Sequence, residues 1–151
     1  MTAEDKPSVM QILKSTPQFN LLDRAVAEEV VDAYLYNPSS QEFHALVAEV
    51  DDHIVGYVCY GPNSMTVSTW GIYWIAVAGA DHGKGIGRQL MTITENNIQK
   101  AGGKLIVLET SSTPLYDRTN RFYKKLDYHQ ASRIADFYSP GDDQILYIKR
   151  F

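Results

Sequence analysis

Hydrophobic positions along the chain change period several times. After a polar start, Pro7 to Leu13 carries Val9, Met10, Ile12 and Leu13 at helical spacing and predicts a short helix that Thr16-Pro17 ends. From Asn20, a good capping residue, Leu22, Val26, Val30, Ala33 and Tyr34 recur on one helical face until Asn37-Pro38 stops the run. Glu42 to Val50 and Ile54 to Tyr60 are then rich in Val, Ile, Tyr and Phe. With Asp51-Asp52-His53 between them, they predict an antiparallel hairpin.

Gly61-Pro62-Asn63-Ser64 reads as a turn. The run WGIYWIAVA, Trp70 to Ala78, is apolar at nearly every position, as in a central strand covered on both faces. Arg88 to Ala101 is helical, with Leu90, Met91, Thr94, Ile98 and Ala101 on one side and Gly102-Gly103 as terminator. Leu105 to Leu108 predicts a short buried strand ending at Glu109, and Asp117 to Lys125 a further helix. Tyr128 to Tyr138 and Gln144 to Arg150 give two last strands around Ser139-Pro140-Gly141-Asp142. The order implies a mixed α/β sheet, mostly antiparallel, with one parallel crossover.

Composition narrows the function classes. The 151 residues carry 14 Lys and Arg against 18 Asp and Glu, a net charge of -4, and no basic block supplies the stripe that a nucleic-acid surface needs. Nucleic acid is therefore not an expected partner. Cys59 is the lone cysteine and lies in an apolar run, so a buried thiol is expected rather than a disulfide, a cysteine-built metal cluster or an acyl-carrying nucleophile. The four histidines show no metal-ligand spacing, so no metal is expected. No apolar run reaches membrane-spanning length and the start lacks a signal-peptide core, which makes the cytoplasm the expected location and no membrane the expected partner.

The segment DHGKGIGRQL, Asp81 to Leu90, sets Gly83, Gly85 and Gly87 at alternate positions just before a helix, where glycine is a poor choice. A strand, a glycine loop and a helix together aim unpaired amides at an anion, and the helix dipole adds partial positive charge. Lys84 and Arg88 add cations. A nucleoside-triphosphate loop fails here, because Lys84 is followed by glycine and no hydroxyl is placed for magnesium. A dinucleotide-binding loop matches Gly83 and Gly85, with Glu109 at a plausible distance for a ribose. It requires Gly or Ala at position 88, which is Arg88, and it stays as a minor alternative.

Tyr73-Trp74-Ile75-Ala76-Val77 followed by His82-Gly83-Lys84-Gly85-Ile86-Gly87-Arg88-Gln89-Leu90 closely resembles the acyl-CoA-binding core of the GNAT acetyltransferase superfamily, whose motif is Arg/Gln-x-x-Gly-x-Gly/Ala. Asn120 to Tyr128 (NRFYKKLDY) resembles the family's second signature, Asn-x-x-Phe-Tyr-x-Lys-Leu-Gly-Phe. His82 stands where the family has Arg or Gln, and Asp127 where it has Gly. The resemblance implies a GNAT-like fold over residues 1–151 as one acetyltransferase domain, with flanking helices and a splayed parallel strand pair. The family's first strand is hard to find in the polar Met1 to Lys6, so the sheet is expected to start at Glu42–Val50.

The resemblance further implies transfer of an acetyl group from acetyl-CoA, as co-substrate, to an amine of a small molecule or peptide by direct attack in a ternary complex. The main chain of Ile75, Ala76 and Val77 would pair with pantetheine and offer an N–H to the oxyanion, and His82, Gly83, Lys84, Gly85, Ile86, Gly87 and Arg88 would hold the diphosphate. Asn120 would hold the pantetheine arm. Glu109 is the expected base, acting through water, and Tyr123 the acid that protonates the leaving thiolate. Tyr36, Tyr73, Phe137 and Tyr138 are candidates to line the acceptor groove. Glu28, Glu29, Asp136, Asp142 and Asp143 are candidates to attract a cationic amine. A homodimer is compatible with this reading. The competing class is a non-catalytic acyl-CoA sensor, which would bind the cofactor without turnover.

Overall fold

A computed structural model describes residues 1–37 and 42–151; the helix stop expected at Pro38 lies outside them. Helix α1 runs Lys6–Ser15 and α2 runs Leu21–Tyr36. Asn20 caps α2 as its sequence suggests: its side-chain oxygen accepts from the Leu22 and Asp23 amides at 2.7 and 3.0 Å, and Asp23 accepts from the Asn20 amide at 2.8 Å. The buried stripe of α2 is not the expected one. Ala27 and Val31 are fully buried, whereas Leu21 and Leu22 are 82% and 72% exposed and Val26 is exposed as well. Val30, Tyr34 and Leu35 pack against the same buried layer, so the helix turns its first residues outward and its later ones inward.

Six strands form one sheet in the order β1-β2-β3-β4-β6-β5, all neighbours antiparallel except β3 and β4. The sheet starts at β1 (His44–Val50), and no strand precedes it among the described residues. β2 covers His53–Pro62; Asp51 and Asp52 both take positive φ (49° and 61°), the conformation of a tight two-residue hairpin. The strand therefore extends through Gly61 and Pro62, and the expected turn sits later, where the Asn63 amide donates to Thr69 O at 2.8 Å. β3 (Thr69–Val77), α3 (Ile86–Lys100), β4 (Leu105–Ser111), α4 (Asp117–Lys124), β5 (His129–Ser139) and β6 (Asp142–Arg150) complete the order. β4 thus continues past Glu109, because Glu109, Thr110 and Ser111 remain paired with β6.

Two apolar layers flank the sheet. On one face, Val58, Tyr60, Ile72, Ile106 and Leu108 pack against Ile86, Leu90, Met91 and Ile98 of α3 and Tyr123 of α4. On the other, Tyr57, Cys59 and Ala76 meet Val9 and Leu13 of α1 and Ala27 and Val31 of α2. A bulge in β3 explains why that strand shows no alternation. Cys59 lies opposite Trp74 while Tyr60 lies opposite Ile72, so Tyr73 is the extra residue. Trp70 and Ile72 face α3 before it, and Ile75 and Val77 face α3 after it, with Trp74 and Ala76 on the other side. One inserted residue shifts the face of all that follow.

Candidate active site

The same bulge opens the sheet. β3 and β4 are paired in parallel only from Thr69↔Leu105 to Ile72↔Leu108. From Tyr73 to Val77 the β4-side edge of β3 has no strand beside it, while Glu109 to Ser111 of β4 stay with β6. The two central strands therefore diverge into a wedge with unpaired main chain along one wall. Ile75, Ala76 and Val77 lie on that wall.

The glycine loop sits at the open end. Gly85 caps α3 in the left-handed region (φ 84°), and Gly83 has φ 83°. A Cβ at either would meet nothing within 4 Å, so conformation and clearance select these glycines rather than packing. Gly87 differs: a Cβ there would come 3.4 Å from the Phe122 ring, an ordinary contact distance between α3 and α4. Gln89 is the first residue to close a helical bond, onto Gly85 O at 3.0 Å, and the amides from Gly83 to Arg88 have no partner among the described residues. Ile86 turns its side chain into the core, leaving its amide as its contribution to the loop. Six bare amides at the start of a 15-residue helix make an anion cradle.

The cations around this cradle are not equally free. Lys84 is tied to Asp81 at 2.7 Å, which neutralises it, and Arg88 reaches the Lys125 carbonyl at 3.5 Å. His82 is fully engaged. Its Nδ1 lies 3.1 Å from Arg118 Nη1 and its Nε2 lies 2.8 Å from Val77 O. A guanidinium can only donate and a carbonyl only accept, so Nδ1 is the acceptor and Nε2 carries the proton. Val77 O is thereby occupied from within the protein, and His82 bridges β3 and α4 at the start of the loop.

Asn120 and Tyr123 share one face of α4. Asn120 Nδ2 donates to Ser111 O at 3.0 Å, and its Oδ1 receives the Thr110 hydroxyl at 3.4 Å, which anchors α4 to the end of β4. Tyr123 is buried among Phe122, Tyr128 and Tyr147. Its hydroxyl has no hydrogen-bond partner among the described residues, and burial, aided by the phenol of Tyr116, raises its pKa well above that of a free tyrosine. Asp127, at φ 64°, adopts the left-handed turn that glycine usually supplies, and the Tyr128 amide closes onto Tyr123 O at 3.1 Å.

Glu109 is exposed on the face of β4 away from α3. Buried Gln144 of β6 donates to its Oε2 at 2.7 Å, a partner the sequence did not suggest and which follows from the β4–β6 register. Tyr138 lies nearby, its hydroxyl raised by burial and by the charge of Glu109 and held toward Gln144. Tyr116 donates to Gln18 O at 3.1 Å and is pushed up to about 12, first by burial and then by Asp23, Tyr138 and Asp142. Tyr116, Asp23 and Gln144 were thus missed, and Tyr138 and Asp142 join them. The other acidic candidates serve locally: Glu28 pairs with Lys6, Asp143 with Arg133, and Asp136 receives the Gly141 amide. Tyr36 is exposed at the end of α2, and Glu29 is exposed with no polar contact among the described residues. Cys59 is fully buried beside Tyr57, its thiol pushed up to about 12 by burial.

A strand pair that parts at a bulge, with bare amides at its mouth, offers unpaired main-chain groups along an extended edge. Residues 41–130 match the family model described as acetyltransferase (GNAT) domain, and the chain belongs to that family. It is 36% identical over 107 residues to an uncharacterized N-acetyltransferase of Methanocaldococcus jannaschii, covering 69% of this chain and 64% of the relative. The matched part thus spans less than two thirds of that relative. A GNAT-family structure from Desulfovibrio desulfuricans superposes with TM-score 0.94 at 34% identity, over 98% of this chain and 93% of the other. An aminoglycoside 6′-N-acetyltransferase complexed with coenzyme A shares the fold, with TM-score 0.78 at 20% identity over 99% and 92% of the two chains. The single parallel pair sets this sheet apart from the largely parallel sheet of a dinucleotide-binding domain. No helix among the described residues is long and apolar enough to cross a membrane.

Proposed function

We propose that the protein transfers the acetyl group of acetyl-CoA directly to an amine. The observation that carries this reading is the parting of β3 from β4 after Ile72, beside six unpaired amides. The open edge of β3 suits an extended amide-bearing arm, and the cradle suits its diphosphate. Gly83 and Gly85 leave the clearance such a group needs.

In this mechanism the amine nitrogen attacks the thioester carbonyl carbon, and a β3 main-chain N–H stabilises the resulting oxyanion. Glu109, oriented by Gln144, takes the amine proton through water. The tetrahedral centre collapses, the C–S bond breaks, and the Tyr123 hydroxyl gives its proton to the thiolate. The amide and the free thiol of coenzyme A leave. Burial holds Tyr123 protonated, as a general acid must be. Glu109 and Tyr123 sit on opposite sides of the sheet, so the reacting groups meet in the wedge. Cys59, buried and protonated, takes no part.

The test is a thiol-release assay with acetyl-CoA across panels of small amines and peptides, alongside thermal melts. Acetyl-CoA raises the melting temperature, Gly85→Asp removes that rise, and at least one acceptor liberates coenzyme A. No shift at millimolar acetyl-CoA defeats the cofactor assignment. Binding without release for any acceptor makes the protein a sensor.

A further inference from the structure

We propose that Arg118 is a phosphate-binding residue for coenzyme A, presented to the diphosphate by His82. This rests on the reading of the wedge as a coenzyme A site. Arg118 opens α4, 36 residues from His82 in sequence, yet its Nη1 lies 3.1 Å from His82 Nδ1 at the first residue of the glycine loop. The guanidinium therefore sits beside the residue that opens the loop, on its α4 side.

Charge bookkeeping favours it. A diphosphate brings two negative charges, and bare amides answer them only with partial ones. Of the loop's own cations, Lys84 is already paired with Asp81 at 2.7 Å, and Arg88, though without a carboxylate partner among the described residues, is turned to the Lys125 carbonyl at 3.5 Å. Arg118 forms no ion pair among the described residues. Its one polar contact is to a ring nitrogen that accepts, which leaves its positive charge unneutralised and four of its five N–H groups available. A planar fork in that state suits two phosphate oxygens at once.

His82 is the positioning residue. With Nε2–H on Val77 O at 2.8 Å and Nδ1 receiving Arg118, the ring links the last residue of β3 to α4 across the mouth of the wedge. Only a side chain with one donor and one acceptor at that reach does both jobs. Glutamine qualifies, since its amide can donate to Val77 O and accept from Arg118; leucine does not.

The experiment titrates coenzyme A, and separately its 3′-dephospho form, into the wild type, Arg118→Gln, His82→Gln and His82→Leu by calorimetry at several salt concentrations. Arg118 is exposed and outside the core, so the unliganded melt of Arg118→Gln should match the wild type. Arg118→Gln weakens both ligands by roughly ten- to a hundredfold, the loss expected of a charge-assisted contact, and flattens the salt dependence. His82→Gln keeps wild-type affinity, His82→Leu loses several-fold, and combining His82→Leu with Arg118→Gln adds nothing further. An Arg118→Gln affinity within twofold of wild type overturns the proposal while leaving the cofactor reading intact. A loss seen only with the 3′-phosphorylated ligand overturns the diphosphate assignment. Additive losses in the double variant overturn the role of His82. A wild type that binds neither ligand defeats the underlying reading instead.

Discussion

Two glycines at opposite ends of α3 allow loop chemistry to be separated from loop strain. Gly85 before the helix and Gly102 after it have φ of 84° and 85°, and a Cβ at either meets nothing within 4 Å. Alanine at each therefore pays the left-handed backbone penalty of about 1–2 kcal/mol, offset by about 0.4–1 kcal/mol from the stiffer unfolded chain. The net loss of about 1 kcal/mol lowers the melting temperature by roughly 2–4 °C for a chain this size. Both variants should show the same drop without ligand. At acetyl-CoA one hundred times its dissociation constant, the wild type and Gly102→Ala gain about 2.7 kcal/mol. In Gly85→Ala the methyl group enters the clearance above the bare amides. A tenfold weaker site leaves about 1.4 kcal/mol of that gain, so the ligand-induced rise in melting temperature is roughly halved. The assay is scanning fluorimetry with and without acetyl-CoA. Equal ligand-induced rises in the two variants would refute the claim that these amides hold the cofactor.

Other consequences are as direct. Tyr123→Phe removes a hydroxyl that has no partner among the described residues, so stability should change little while turnover falls by about a hundredfold or more; steady-state kinetics with acetyl-CoA titrated separate the two effects. Cys59, with its thiol pushed up to about 12, should resist a thiol-specific disulfide reagent at pH 8 in the native state and react at once in guanidinium, which a colorimetric thiol assay follows. Burial raises the hydroxyls of Tyr57, Tyr123, Tyr128 and Tyr147 above the free value near 10. Their contribution to stability is whole below pH 10 and declines as pH climbs past it; urea melts from pH 8 to 11.5 should show that decline, with the tyrosinate absorbance of these four added only on unfolding to that of exposed residues such as Tyr36.

The glycine loop and the α4 signature were legible because each rests on a local backbone demand. Left-handed turns at Gly83 and Gly85 and a capped helix leave their mark within a few residues. The Asn20 cap was legible for the same reason. What escaped depended on long-range register. Gln144 reaches Glu109 only because β6 pairs antiparallel with β4, and Arg118 reaches His82 only because α4 folds over the loop. The bulge at Tyr73 left a trace, an unbroken apolar run, that a strand covered on both faces explains equally well. On α2 the periodicity misled at Leu22 and Val26, which are exposed, whereas Val30 and Tyr34 do pack inward beside Ala27 and Val31.

Different elements lie on the two sides of the sheet where β3 and β4 part. The glycine loop, α3 and α4 build one, whereas α2 and the β5–β6 hairpin border the other. On the proposed reading of the site, donor and recipient each have a side of the sheet to themselves. The recipient's side can be rebuilt by mutation while the donor's grip stays untouched, which leaves this scaffold free to change what it modifies without losing its source of acyl groups.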